Sequence, residues 1–229
     1  MSIDFEPFFK EYEALLALAD KTFERVRQEF PDLVNCKNGC ADCCYALFDL
    51  PLIEALYINY HFNHTFKGEK KEALVETINQ IDRQINKLKR AANKSLEAGK
   101  SEEEILTELA EARVRCPLLN DQDQCDLYGF RPITCRLYGI PTQIGGKGHT
   151  CRLSGFKAGE SYPTVNIDIL QKKLFQLSER FARAIKSRFG GLGEILVPLS
   201  MALLTDYDET YLGIKAAGGA TEDKPTDAE

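Results

Sequence analysis

The chain has 229 residues, 44% of them hydrophobic, with eight cysteines and no tryptophan. A genuine apolar core in one domain is therefore expected, and metal or disulfide staples are not needed to rescue a starved interior. The formal charge is −6, and the one dense basic run, Lys87 to Arg90, falls inside a helical pattern, which argues against a nucleic-acid partner because phosphate neutralisation needs a clustered basic surface.

Met1-Ser2-Ile3-Asp4-Phe5-Glu6 has no basic stretch leading into an apolar one, so no secretory leader is read there. No window approaches the roughly 18 uncharged apolar residues of a membrane span. Both readings place the protein in the cytoplasm, with its thiols reduced. Phe5, Phe8, Phe9, Tyr12, Leu15, Leu16, Ala19, Phe23, Val26 and Phe30 recur at helical spacing and predict an amphipathic helix ended by Pro31. A second apolar helix is expected over about 51–63. Leu74, Ile78, Ile81, Ile85, Leu88, Ala92 and Leu96 predict a third that packs side by side with a neighbour, stopped by Gly99. Ser101, with Glu104 as its capping-box partner, opens a helix to about Arg113. Residues 69–113 thus read as a helical hairpin inserted between two cysteine-bearing segments.

Residues 115–163 are dense in Gly, Pro, Asn and Asp and predict short elements. Leu118 to Cys125 reads as two extended pieces about a tight turn. Asn166 caps a helix expected to run to Phe189 and to end at Gly190-Gly191. A last helix is expected over roughly 194–205, bent or started by Pro198. The tail from Ala216 is small, acidic and expected to be disordered. The fold class is mainly α: residues 1–215 form one helical domain with a small irregular cysteine-rich layer.

That layer carries the chemistry. Cys36, Cys40, Cys43 and Cys44 fall within nine residues, and Cys116, Cys125, Cys135 and Cys151 within 36. Disulfides are one reading, but a reducing compartment removes their driving force. Inert core thiols are another, yet Lys37, Asn38, Gly39 and Asp42 are poor core neighbours. Metal is the third. Thiolates are soft donors that select zinc and iron–sulfur clusters, and close spacing lowers the entropy of gathering them. Adjacent side chains point apart, so Cys43 and Cys44 are expected not to share one metal atom. Lys37, Arg115, Arg136 and Arg152 each adjoin a cysteine and would favour the thiolate. Arg131 and Arg136 are candidates for pairing acids or offsetting cluster charge, and Tyr128, Phe130 and Tyr138 for shielding the metal. His61 and His64 read as surface or packing residues, His149 as a loop-surface residue with a metal ligand or a donor to one as the alternative, since it precedes Cys151 by two, and Gly145 to Gly148 as a turn rather than a phosphate loop. Cys36-xxx-Cys40-xx-Cys43 has the radical-S-adenosylmethionine spacing, but no repeat of strands and helices accompanies it.

Cys36-xxx-Cys40-xx-Cys43-Cys44, Cys116-Pro117-Leu118-Leu119 and Cys125-Asp126-Leu127-Tyr128-Gly129-Phe130-Arg131-Pro132-Ile133-Thr134-Cys135-Arg136 together resemble the YkgJ-type cysteine-cluster family, and Cys151 also fits. The first spacing is three residues here, where many members have two. The resemblance implies a zinc- or iron-chelating domain. Flagellin lysine methylases look like distant relatives, which implies an iron–sulfur cluster with S-adenosylmethionine as a second reading. All eight cysteines are the expected ligands of iron–sulfur (4Fe–4S) or zinc. The expected partners are metal ions and a protein partner or substrate.

Overall fold

A computed structural model describes residues 3–157 and 159–214. The expected tail beyond Ala216 lies outside the described residues. The chain begins with α1 (Glu6–Glu29), followed by a 3-10 turn at Asp42–Tyr45, β1 (Asp49–Pro51) and α2 (Leu52–Thr65). Then come α3 (Gly68–Glu97), α4 (Glu102–Glu111) and α5 (Ile133–Leu137). Three short strands follow, β2 (Thr142–Ile144), β3 (Lys147–His149) and β4 (Val165–Asn166), and then α6 (Ile167–Ala184). The described chain closes with β5 (Leu196–Pro198) and α7 (Leu199–Leu204). The fold is mainly α.

The middle helix explains the layout. Almost every residue of α2 from Leu52 to Asn59 is buried, because it separates two cores. Ile53, Leu56 and Tyr57 join Tyr12 and Leu16 of α1, Leu137 of α5 and Phe181 of α6. Ala55, Ile58 and Phe62 face Ile78 of α3, Leu118, Leu127 and Leu203 of α7. A helix apolar all round is stable only when neighbours cover both sides. The stripe on α1 buries Phe9, Tyr12, Leu16, Ala19 and Val26, while α3 buries only Ile78 and Ile85 and stays wet elsewhere. Ser101 and Glu104 form the capping box expected for α4, and the Asn166 side chain caps α6 by accepting from the Ile169 N–H.

Two stretches differ from the sequence expectation. α6 stops at Ala184 rather than Phe189, because Lys186 takes φ +54° and turns the chain out of the helix. The single helix expected over 194–205 is instead a 3-10 turn at Leu192–Glu194, strand β5 and the short α7. β1 and β5 pair antiparallel, with Leu50 opposite Val197 and Pro51 opposite Leu196. Pro51 and Pro198 each end a strand and precede a helix, a position where the missing N–H costs nothing. β2 pairs antiparallel with β3 and parallel with β4. The β2–β3 hairpin turns through Gly145 (φ +56°) and Gly146 (φ +78°), the paired positive values that only glycine-like residues tolerate cheaply.

Candidate metal centre

The first cysteine segment is folded by two tight turns. Gly39 at φ +81° brings the Cys40 N–H back to the Lys37 carbonyl at 3.0 Å. The 3-10 turn then carries Cys43 and Cys44. The Cys44 carbonyl accepts the Cys116 N–H at 2.7 Å, which docks the second segment on the first. Leu119 and Cys125 form an isolated antiparallel bridge about the turn at Asp123 (φ +56°), as the sequence of 118–125 predicts. Cys135 comes from α5, held by the start of α2.

Cys43, Cys44, Cys116, Cys125 and Cys135 thereby line one cavity of about 370 Å3. Cys43 and Cys44, expected not to share one metal atom, both line this cavity from the tight 3-10 turn. Cys36, Cys40 and Cys151 lie to one side. Cys36 is near enough to Cys40, Cys151 and Cys43 for each to oppose its ionisation, so this group adjoins the first through Cys43. The Cys36 sulfur packs over Gly139, where a Cβ would stand 2.2 Å from it. Among the described cysteines no disulfide forms; all eight are free. Among the described residues, no group of three or more Cys, His, Asp or Glu side chains converges tightly enough to hold a single metal ion.

Asp42 links the two groups. Its carboxylate is almost completely buried. It accepts from Arg113 Nη2 at 2.7 Å and Arg152 Nε at 2.8 Å on Oδ1, while the Cys151 thiol lies 3.5 Å from Oδ2. One side chain thus ties the end of the α3–α4 pair and the Cys151 loop to the 3-10 turn. Burial raises its pKa, but the bonds from Arg152, Cys151 and Arg113 outweigh that and hold it below the ordinary value.

The thiols are shaped mainly by burial. Desolvation pushes Cys36 up to about 11 and Cys116 up to about 12, and raises Cys125, Cys135 and Cys151. Cys43 moves the other way, lowered by its interaction with Cys44, which stays protonated. Such thiols keep their protons until a cation replaces them. The fixed charge aimed at them is Arg131, which favours the thiolate at Cys36, Cys43, Cys125 and Cys135. Arg131 stacks on Tyr128 at 3.5 Å and donates to the Tyr128 carbonyl.

Of the flanking cations, Arg136 pairs an acid as expected, while Arg115 and Arg152 do not turn to the thiols. Arg115 donates to the Leu119 and Asn120 carbonyls, Arg136 to the Gly129 and Arg131 carbonyls and to Asp20, and Arg152 to Asp42. They brace loops. Arg131, four residues before Cys135, is the one whose charge reaches the sulfurs. Tyr128 is exposed and Phe130 stacks on His61 at 3.6 Å, while Tyr138 is half-buried and near enough to Asp42 and Cys151 for each to oppose its ionisation. His149 sits exposed on β3.

A family model described as a putative zinc- or iron-chelating domain, CxxCxxCC, matches residues 35–152, about half of the chain. The chain belongs to the CxxCxxCC family. Seven of the eight cysteines fall between Cys36 and Cys135 in that match, and Cys151 is its last. CxxCxxCC membership carries metal chelation with it, and the soft donor set fits such a group. No curated protein and no solved structure matched the chain. Sequence reasoning missed Asp42 as a junction and Glu54 beneath α5. The signal for Asp42 was its place between Cys40 and Cys43, and for Glu54 a lone acid in the apolar run of α2.

Proposed function

We propose that the protein holds an iron–sulfur cluster of the four-iron type on the cavity walled by Cys43, Cys44, Cys116, Cys125 and Cys135. The observation that carries this is five sulfurs from three stretches of chain around one space of about 370 Å3. A zinc site draws four sulfurs to about 2.3 Å from one point. Sulfurs spread round a wider space suit a group several atoms across, ligated by four cysteines. When bound, such a cluster supplies one-electron chemistry. The chain's own part is to gather the sulfurs through the Cys44–Cys116 backbone bond, to offset their charge with Arg131, and to keep water off the apolar wall. Reduced thiols as donors agree with a cytoplasmic setting.

Zinc is the second reading. It would draw Cys36, Cys40 and Cys151, beside the Asp42 carboxylate, from their present wider spacing onto one ion, since zinc accepts both sulfur and oxygen. On this reading all eight cysteines are ligands, divided between two centres.

Anaerobic purification with iron, acid-labile sulfide and zinc analysis separates the two. Brown protein with about four irons and four sulfides per chain is expected, lost together in Cys125→Ser and Cys135→Ser. Colourless protein with stoichiometric zinc selects the second reading. Folded protein without metal overturns both. If iron is found, cleavage of S-adenosylmethionine by the reduced protein distinguishes an enzyme from an electron carrier.

A further inference from the structure

The cavity that carries five cysteines on one wall does not end at the sulfurs. It continues between α2, α3 and α7, where Ile58, Ile81, Ile85 and Leu199 line it. Native interiors pack to the density of organic crystals and keep few voids larger than a water molecule. Apolar voids also stay dry, and one of about 150 Å3 already accepts a benzene. A space of about 370 Å3 therefore has room for one or two rings beside a group held on the cysteine wall.

The polar side chains on its wall have their partners within the chain. Lys89 Nζ donates to both oxygens of Asp49, at 2.9 and 2.7 Å. Ser200 Oγ donates to Asp82 Oδ1 at 2.8 Å. Arg115 is bonded to two backbone carbonyls at 3.0 Å, and Arg131 to the Tyr128 carbonyl at 3.0 Å. A charged ligand entering this space would lose its hydration against a wall made mostly of apolar side chains, Ile58, Ile81, Ile85, Leu118, Leu127 and Leu199 among them. An uncharged one gains apolar contact at no such cost.

We propose that this chamber binds an uncharged, hydrocarbon-rich small molecule of one or two rings. The inference stands on packing and charge, not on the identity of the metal. It also gives the cysteine wall a substrate class, and that second part rests on the metal reading above.

1-Naphthylamine and 1-naphthylamine-4-sulfonate test it, because they share one two-ring hydrocarbon skeleton and differ in charge. Titrated into the anaerobically purified full chain, the neutral dye is expected to bind saturably at one per chain, at least tenfold more tightly than the sulfonate. Ile85 is buried on the chamber wall, and Ile85→Trp should weaken the neutral dye at least tenfold. The chain has no other tryptophan, so its emission reports directly whether the new ring is buried. Ile81→Phe, a smaller intrusion, gives the same reading if Ile85→Trp does not fold. Non-saturable binding, equal affinity for the sulfonate, or undiminished binding in the folded chamber variant overturns the proposal. Metal is assayed on the same sample. Metal-free protein that still binds the naphthylamine would end the metal reading and leave this one standing.

Discussion

Removing the Glu54 carboxylate should cost far more than removing its charge. Glu54 lies in the first turn of α2 and is only 3% exposed. Its Oε1 accepts from Tyr12 Oη of α1 at 2.7 Å and from the Ile133 N–H of α5 at 2.9 Å. One oxygen thus joins three helices and satisfies the first free donor of the helix that carries Cys135. Glu54→Ala strands two buried donors, at about 1–3 kcal/mol each, and adds lost packing, so about 3–6 kcal/mol is expected. Glu54→Gln keeps an acceptor in place. It exchanges charge-assisted bonds for neutral ones of about half the strength and removes the cost of burying the charge, so a loss below about 1.5 kcal/mol is expected.

The pH dependence has a definite sign. Burial raises the Glu54 carboxyl above its ordinary value, and the bonds from Ile133 and Tyr12 and the charge of Arg136 pull it back only partly. The folded state therefore holds this proton more tightly than the unfolded state. Its stabilising contribution is full below the unfolded value of 4.5 and is lost as pH rises through the folded value. Glu54→Gln lacks that component, so its deficit against the native chain should shrink as pH rises above 4.5. Urea unfolding followed by far-ultraviolet circular dichroism across that range measures both effects. If Glu54→Ala and Glu54→Gln differ by less than about 1 kcal/mol, or if the pH profiles of Glu54→Gln and the native chain superimpose, the reasoning fails.

Asp42→Asn keeps the shape of the junction but loses two charge-assisted bonds. With Arg152 64% exposed and Arg113 35% exposed at the side chain, screening limits the loss to about 1–2 kcal/mol. Thermal unfolding should show it, together with faster modification of Cys151 by a thiol reagent. Gly139→Ala places a Cβ 2.2 Å from the Cys36 sulfur and 3.2 Å from Phe23. It should displace Cys36 and so lower zinc content on the two-centre reading while leaving the irons of the cavity site in place, whereas Gly129→Ala, with nothing within 4 Å, should leave all metal content unchanged. Gly193→Ala meets the Glu179 backbone at 2.6 Å and should destabilise by about 1–3 kcal/mol. At Gly190 nothing lies within 4 Å, so Gly190→Ala should stay within about 0.5 kcal/mol of the native chain in the same urea titration.

The helices were legible because periodicity and caps are local. The stripe on α1, the capping box at Ser101 and the Asn166 cap all stand as read. The end of α6 and the strand at Leu196–Pro198 were not legible. β5 exists because β1 offers it a partner about 150 residues earlier in the chain, and no local pattern carries that pairing. Arg131 and Arg136 do what the sequence offers, Arg131 favouring the thiolates and Arg136 pairing with Asp20. The roles of Arg115 and Arg152 were not legible, because adjacency to a cysteine does not say that one turns to carbonyls and the other to Asp42.

The sequence by itself determined a mainly α chain of the CxxCxxCC family, with eight cysteines in two groups, because residue type and spacing alone carry that information. The tertiary structure alone decided which sulfurs share a wall, that Asp42 and Glu54 are the buried acids tying segments together, and that an apolar chamber adjoins the thiols. Convergence of distant segments depends on how α2 is buried between two cores, and that packing is a property of the whole chain rather than of any stretch of it.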